Sequence, residues 1–306
     1  MSQQKPKFIT CNYTNLNGTR FNGRLNRDQV YMYSLRGIAE CGECIVNYTC
    51  PYNMEFVDPF LASHSITNVR NVDFDLTKSP YHARIEAIKT LKPFYYQDGS
   101  WANRCVEIMW GKFLWLEENL HQLDDDNYLF WIDAGLSQGC TTPRRFCTFH
   151  NDKRYYKVDQ PDEMELEYAH RHDRIYNDDF ARRLEKYTGD KILLITCSMS
   201  QHGDPLGFEF YNTQKMWPIG GLFGGQKKVL IPFINRFKEL AERVLSHDLL
   251  VKEEQLMAVI YSEKPEWFKT FEFDVWYHED WIPIAPGVYN YSMRSFSDFF
   301  DEVLKL

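Results

Sequence analysis

The segment Tyr128-Leu-Phe-Trp-Ile-Asp-Ala-Gly135 decides the fold that we expect of this chain. Its five consecutive apolar or aromatic residues are too few for a buried helix and suit a strand covered on both faces. The strand ends on Asp133, followed by the small residues Ala134 and Gly135. Because ligands of open α/β sheets bind at the carboxyl ends of strands, Asp133 is placed to hold a metal ion, a sugar hydroxyl or a phosphate-bound ion. The alternative is a strand that simply ends in a tight turn.

Strand and helix patterns alternate along the rest of the chain, which predicts an α/β sheet with a mainly parallel core. Besides the segment above, we expect strands over 7–13, 44–49 and 191–199, and helices over 30–39, 80–91, 104–120, 229–246 and 250–261. Two glycine pairs within 220–225 indicate that the backbone is closely approached there or turns sharply twice.

Composition excludes several classes of protein. The chain is 44% hydrophobic and 25% charged, as in ordinary globular proteins. Its net charge of −8 argues against a nucleic-acid binder, which needs a basic surface to displace counterions. The aromatic content of 16% is typical either of a sugar- or base-binding cleft or of a Phe-rich core. A polar start without a signal peptide, and no apolar run of membrane-spanning length, predict a cytoplasmic protein without a transmembrane segment; peripheral membrane contact stays open.

Cysteine and aspartate clusters raise the question of other metal sites. Cys41, Cys44 and Cys50, with Cys11 as a fourth ligand, are one candidate for structural zinc. There is no second CxxC pair, and buried free thiols are the favoured interpretation. The run 124–126 of three aspartates is interpreted as a solvated turn rather than a cation site.

Four motifs follow one another along the chain: Arg104-Cys-Val-Glu-Ile-Met-Trp-Gly-Lys-Phe113, Trp131-Ile-Asp-Ala-Gly135, Gly220-Gly-Leu-Phe-Gly-Gly225 and Glu253-Glu-Gln255. In this order they resemble the WlaTC/HtrL (YibB) family of GT-A-like glycosyltransferases, over residues 8–281. The resemblance implies one GT-A-like domain over 1–306: a Rossmann-type mixed, mainly parallel sheet flanked by helices. It implies a nucleotide-sugar half over 7–138 and an acceptor and catalytic half over 139–285.

The resemblance further implies a nucleotide-sugar-dependent hexosyl- or pentosyltransferase that acts on a glycan acceptor. It assigns donor contacts to Asp133, Ala134, Gly135, Lys112 and Arg144, and a divalent metal, Mn²⁺ or Mg²⁺, to Asp133 and His278. GT-A strands of this kind end in Asp-x-Asp, whereas here the second acid is absent, so that we expect weak metal binding. His278 could equally be an edge-strand histidine beside two acids.

The same resemblance places the catalytic base and the acceptor site in the second half of the chain. Glu254 is the expected base, with Glu253 as the second choice and Asp133 as the third catalytic carboxylate. Gln255 would orient a sugar hydroxyl. The wall for sugar and acceptor would comprise Trp217, Gly220, Gly221, Phe223, Gly224 and Gly225. A competing interpretation of Glu253 and Glu254 is that they only favour the start of a helix.

The missing second acid also keeps a non-catalytic alternative open. On that alternative, the chain is a nucleotide-sugar or glycan binding protein with the same fold. The sequence does not determine the donor base, the sugar, the acceptor or the stereochemical course.

Overall fold

The computed structural model describes residues 5–13, 32, 35–92, 105–134, 155–158, 179–197, 218–273, 288–291, 299, 302–303 and 305–306. Strands lie at β1 (Phe8–Asn12), β2 (Ile45–Thr49), β3 (Val69–Asp73), β4 (Tyr128–Ile132), β5 (Tyr155–Val158), β6 (Ile192–Cys197), β7 (Pro218–Gln226), β8 (Phe268–Phe273) and β9 (Val288–Tyr291). Helices lie at α1 (Pro51–Ser63), α2 (His82–Leu91), α3 (Cys105–Leu120), α4 (Phe180–Thr188), α5 (Lys227–Ser246) and α6 (Glu253–Glu263). Residues 35–39 are also helical, and short 3-10 helices cover Leu76–Lys78 and Pro265–Trp267.

Seven of the strands form one sheet in the order β3-β2-β1-β4-β7-β6-β8. Strands β1 to β4 are parallel to one another, and β6 is parallel to β8. Only β7 runs antiparallel to its neighbours, β4 and β6, within this sheet. The expected mixed, mainly parallel α/β sheet flanked by helices is therefore confirmed. Strands from both expected halves of the chain belong to it, and the boundary between those halves stays a prediction.

The sequence predicts β1, β2, β4 and β6 and the helices α2, α3, α5 and α6, but it does not predict α1, α4, β3 or β8. A proline inside a helix removes a hydrogen bond and clashes with the preceding turn, and Pro59 lies inside α1. The strand β3 is an edge strand whose residues are half-buried or exposed, so it lacks a continuous apolar run. A separate antiparallel pair, β5 with β9, was not expected either.

Alternation along the strands divides the core into two layers, one on each face of the sheet. Ile9 and Trp131 point into the first layer, which α2, α3, α5 and α6 cover. Phe8 and Phe130 point into the second layer, which residues 35–39, α1 and α4 cover. All four side chains are fully buried. The central strands are therefore covered on both faces, as the apolar run before Asp133 predicts.

The glycine-rich segment 218–226 is the long strand β7 rather than a pair of turns. The expected close approach is nevertheless present. A Cβ atom on Gly224 would lie 2.6 Å from the Cα of Phe130, and one on Gly225 would lie 2.6 Å from the carbonyl oxygen of Lys191. Glycine at these positions lets β7 fit between β4 and β6.

We find no helix among the described residues with the length and apolar character that a membrane span requires.

Candidate active site

The candidate site lies where the direction of winding of the sheet reverses. The connection from β1 to β2 runs through the helical residues 35–39 in the second layer, whereas that from β3 to β4 runs through α2 and α3 in the first layer. The chain thus leaves β1 into the second layer, whereas its neighbour β4 is reached from the first layer, and the direction of winding reverses between these two strands. Such a switch point opens a crevice in which ligands of doubly wound sheets bind.

Asp133 lies at this crevice, directly after β4. Its backbone N–H donates a hydrogen bond of 2.7 Å to the carbonyl oxygen of Gly221. Because β7 is antiparallel to β4, its first residues, including Gly220 and Gly221, meet the carboxyl end of β4. The expected neighbourhood of Asp133 and the start of the glycine segment is thus present. Ala134, the next residue, is fully buried.

A buried ion pair joins α3, α6 and β7 next to the crevice. Lys112 of α3 donates a hydrogen bond of 2.5 Å from Nζ to Oε1 of Glu253, the first residue of α6, and one of 2.9 Å to the carbonyl oxygen of Gly220. The two side chains are only 7% and 3% exposed. The Nζ atom also lies 5.3 Å from the centre of a Trp131 ring. Lys112, assigned above to the donor, is therefore occupied by protein groups.

Gly220 has to be a glycine for this arrangement. A Cβ atom there would collide with Oε1 of Glu253 and lie 3.0 Å from Nζ of Lys112. The first glycine of the motif thus makes room for an ion pair against the backbone of β7. This is a different role from that of a wall for a sugar.

Glu254 lies beside this pair, and the pKa of its carboxyl group is close to neutral pH. Its Oε1 accepts a hydrogen bond of 3.3 Å from the backbone N–H of Gly220. Part of its surface is open to solvent, although protein surrounds most of the carboxyl group. Burial first, and then the negative charge of Glu253, raise the pKa of Glu254 to about 7, while Lys112 and the Gly220 N–H act in the opposite direction.

The charges at the site are unequal: three carboxylates, from Asp133, Glu253 and Glu254, act on one ammonium group. Burial by itself would lower the pKa of Lys112, but attraction to Glu253, and then to Asp133, raises it above its ordinary value. Lys112 therefore stays charged at neutral pH. Cys11 on β1 belongs to the same surroundings, because burial, followed by the charge of Asp133, raises the pKa of its thiol.

Several residues that were expected to contact the sugar or the acceptor are surrounded by protein instead. Phe223 is fully buried, and its ring stacks on Phe113 with the centroids 5.3 Å apart, so it does not face a ligand. Gln255 is also fully buried, and its Oε1 accepts a hydrogen bond of 2.8 Å from the N–H of Lys252 at the start of α6. Gly224 pairs with Phe130 of β4. Because Phe130 is three residues before Asp133, Gly224 is about 10 Å from Asp133 along the strand.

Gly225 lies one residue further from Asp133, opposite Leu129. The remaining expected site residues, Gly135, Arg144, Trp217 and His278, lie outside the described residues.

The residues that the structure describes at the crevice do not by themselves make a metal site. Asp133 is one carboxylate ligand, whereas Glu253 is held by Lys112 and Glu254 by Gly220. Hard divalent cations prefer six or more oxygen ligands, supplied by protein and water together. Any further protein ligand has to come from outside the described residues, as was expected of His278.

The cysteines that the structure describes do not form a shared metal site, and the aspartates 124–126 lie in a solvated turn, as we expected from the sequence. Cys41 is buried in the second layer, whereas Cys11 and Cys50 pack against the first layer, so that they do not share one zinc site. The aspartates 124–126 lie in an exposed turn, where each of them pairs with a lysine.

The sequence did not predict the ion pair of Lys112 and Glu253, or that the thiol of Cys11 lies close enough to Asp133 to be affected by its charge. A signal for Cys11 was available: it lies near the end of the first strand, which is parallel to the strand that delivers Asp133. The partner of Lys112 was less accessible, because the two residues are 141 positions apart.

Comparison with known proteins does not assign the chain to a family. No protein-family model and no curated protein matches the chain by sequence. Among solved structures, mouse xyloside xylosyltransferase 1 without ligand aligns with 87% of this chain and 85% of its own, at a TM-score of 0.41 and 9% identity.

A 4-diphosphocytidyl-2C-methyl-D-erythritol synthase from Anaerococcus prevotii aligns with 88% of this chain and 87% of its own, at a TM-score of 0.36 and 12% identity. Likeness at this level supports no conclusion about the family or the substrate of this chain. The sheet itself shows a mixed, mainly parallel α/β fold flanked by helices. The WlaTC/HtrL resemblance stays a prediction.

Proposed function

We propose that the protein is a nucleotide-sugar-dependent glycosyltransferase that transfers a hexosyl or pentosyl group to a glycan acceptor. The observation that carries the proposal is the position of Glu254: a carboxyl group whose pKa is raised to about 7, next to the crevice that Asp133 borders at the switch point of the sheet. A group of this kind can accept and release a proton at neutral pH, as a general base must.

In the proposed reaction the donor lies across the carboxyl ends of β1 and β4. An acceptor hydroxyl oxygen attacks the anomeric carbon of the sugar, and a new C–O bond forms. The bond from that carbon to the diphosphate oxygen breaks, and the nucleoside diphosphate leaves with the electron pair. The hydroxyl proton passes to a carboxylate oxygen of Glu254. This single displacement inverts the configuration at the anomeric carbon.

Lys112 and Glu253 contribute to the proposed reaction without touching the sugar. Their pair fixes the start of α6 against β7, and with it the carboxyl group of Glu254. The charge of Glu253 also helps to raise the pKa of Glu254 to about 7. We therefore propose Glu254 as the base and Glu253 as its positioning residue.

The proposed donor also needs counter-charge for the leaving diphosphate. We propose Mn²⁺ or Mg²⁺, held by Asp133 and His278, as one source, with Arg144 as a further cation. Since the described residues supply one metal ligand, we assign no step of the reaction to a metal ion.

The test is Glu254→Gln, assayed with a panel of nucleotide sugars for transfer and donor hydrolysis. We expect kcat to fall by roughly 10²–10⁴, with donor affinity and the unfolding midpoint close to wild type. In the wild type, kcat/KM should decline as the pH falls through about 7, because Glu254 then becomes protonated. This limb of the profile should be absent from the variant.

Unchanged transfer by folded Glu254→Gln protein would contradict the assignment of the base and leave Glu254 as a residue of the helix start. The non-catalytic alternative gives a different result. It predicts that a nucleotide sugar raises the melting temperature of the wild type, with neither hydrolysis nor transfer.

A further inference from the structure

Three metal-binding side chains converge between α2 and α3: His82, Glu86 and Glu107. Each offers a ligand atom within 4.8 Å of the other two. His82 and Glu86 are four residues apart on α2 and therefore on one face of the helix. Glu107 comes from the first turn of α3. The cluster thus joins two helices, and it shares no residue with the crevice around Asp133.

The spacing within the cluster suits a small tetrahedral ion. Nδ1 of His82 lies 3.2 Å from Oε1 of Glu107. Ligand atoms of a tetrahedral zinc ion with bonds of about 2.0–2.1 Å are ~3.3 Å apart. Two ligands are therefore already at the required separation. The third, Glu86, has a side chain that is 51% exposed and can change rotamer to close the remaining distance.

Burial of Glu107 is an independent indication that a cation belongs here. Glu107 is fully buried, and its Oε2 accepts no hydrogen bond. In the described part of the chain, Nζ of Lys89 lies 3.7 Å from this oxygen and 3.1 Å from Oε1 of Glu86. A buried carboxylate oxygen without a donor is costly, and a cation at the carboxylate of Glu107 would reduce that cost.

Charge at the cluster leads to the same expectation. Among the described residues, the carboxylates of Glu86 and Glu107 share one ammonium group, that of Lys89, which leaves one negative charge uncompensated. A divalent ion held by these side chains would supply the missing positive charge.

We infer that His82, Glu86 and Glu107 form a zinc site that ties α2 to α3, with water in the fourth position. Histidine nitrogen and carboxylate oxygen, the two kinds of donor atom in this cluster, are both ligands that zinc binds. Zinc also binds such nitrogen and oxygen donors more tightly than manganese does. Magnesium is disfavoured because it prefers an all-oxygen octahedral shell.

The experiment titrates zinc into the full chain after treatment with a chelator. Competition with a chromophoric zinc indicator measures affinity and stoichiometry, and a thermal scan measures stabilisation. We expect one zinc per chain and a rise in melting temperature that follows ligand concentration. Glu86→Gln should weaken binding by at least about 10-fold, and this half-exposed position leaves the fold intact without metal. His82→Asn and Glu107→Gln should do the same.

Further variants test whether zinc binds at this cluster and not elsewhere in the chain. Lys89→Gln removes the competing cation and should bind zinc more tightly. Asp133→Asn and Cys44→Ser should bind zinc like the wild type, since neither residue belongs to the cluster. Retention of wild-type affinity in Glu86→Gln, or loss of binding in Asp133→Asn or Cys44→Ser, would overturn the inference. So would a Lys89→Gln protein that loses stability and takes up no zinc. None of these readouts depends on glycosyl transfer.

Discussion

Lys112 and Glu253 are two charged groups that the fold removes from water together. Their exposed fractions of 7% and 3% leave almost no solvent to stabilise either charge. Attraction within such a pair roughly compensates for the lost hydration, whereas one partner left alone is strongly unfavourable. The pair therefore adds little to the net free energy of unfolding. Its main effect is to favour the one arrangement of α3, α6 and β7 in which both charges have their partners.

We predict strong non-additivity between substitutions of this pair. Lys112→Met and Glu253→Gln should each lower the free energy of unfolding by about 3–5 kcal/mol, because the remaining charge is buried without its partner. The double variant should recover most of the loss. Chemical denaturation of the four proteins measures the coupling.

Lys228→Met provides the control for this cycle, since it removes the exposed pair of Lys228 and Asp126. We expect little change in stability from that substitution. Single variants at Lys112 and Glu253 that unfold like the Lys228 control would contradict the buried-pair interpretation.

Residue-level reasoning from the sequence predicted that Glu253 and Glu254 lie near the site, but not what each one does. Consecutive helix residues point about 100° apart, so the two carboxylates necessarily face different partners. Which one contacts Lys112 and which one contacts Gly220 depends on the phase of α6 relative to β7. That phase is a tertiary property, and no local pattern in the motif contains it.

At the level of elements, β7 shows how one glycine motif serves two purposes. Its first part, at Gly220, makes room for the ion pair at the site, whereas Gly224 and Gly225 let neighbouring strands approach. The sequence pattern indicated close approach without distinguishing a strand from a turn, because glycine is common in both. Apolar runs such as 128–132 were more informative, since their length and burial permit only a strand.

We predict that Gly224→Ala and Gly220→Ala separate these two purposes. The new methyl group at Gly224 would lie 2.6 Å from the Cα of Phe130, so overpacking should lower stability by about 1–3 kcal/mol or more. Turnover per folded molecule should stay near wild type, because this end of β7 is remote from Asp133.

Gly220→Ala should instead reduce turnover in the molecules that remain folded, because its methyl group displaces Glu253 and Lys112. Denaturation and activity corrected for the folded fraction are measured on both variants. Equal loss of turnover in the two would contradict this division of the strand.

For the whole molecule, the order of the strands decides where chemistry can occur. The sequence predicted the alternation of strands and helices, and with it the layers, from local patterns alone. The position of β7 between β4 and β6 was not predictable in this way, since it depends on pairing between segments about 90 residues apart in the chain. Yet this strand is what brings Gly220, Glu253 and Glu254 to the edge where Asp133 lies.

Metal dependence of the proposed transfer should be partial. Asp133 is the one metal ligand that the described residues supply at the crevice, while Lys112 contributes fixed positive charge nearby. We therefore expect excess EDTA to lower turnover without abolishing it, and Mn²⁺ to restore it.

Asp133→Asn should remove most turnover with or without metal, and its fold should persist because the backbone hydrogen bond to Gly221 does not involve the side chain. Glu86→Gln is the matched control, since it affects the zinc cluster and not the crevice. Wild-type turnover by Asp133→Asn would reduce Asp133 to the residue that ends β4, and full activity in EDTA would show that protein cations alone neutralise the leaving diphosphate.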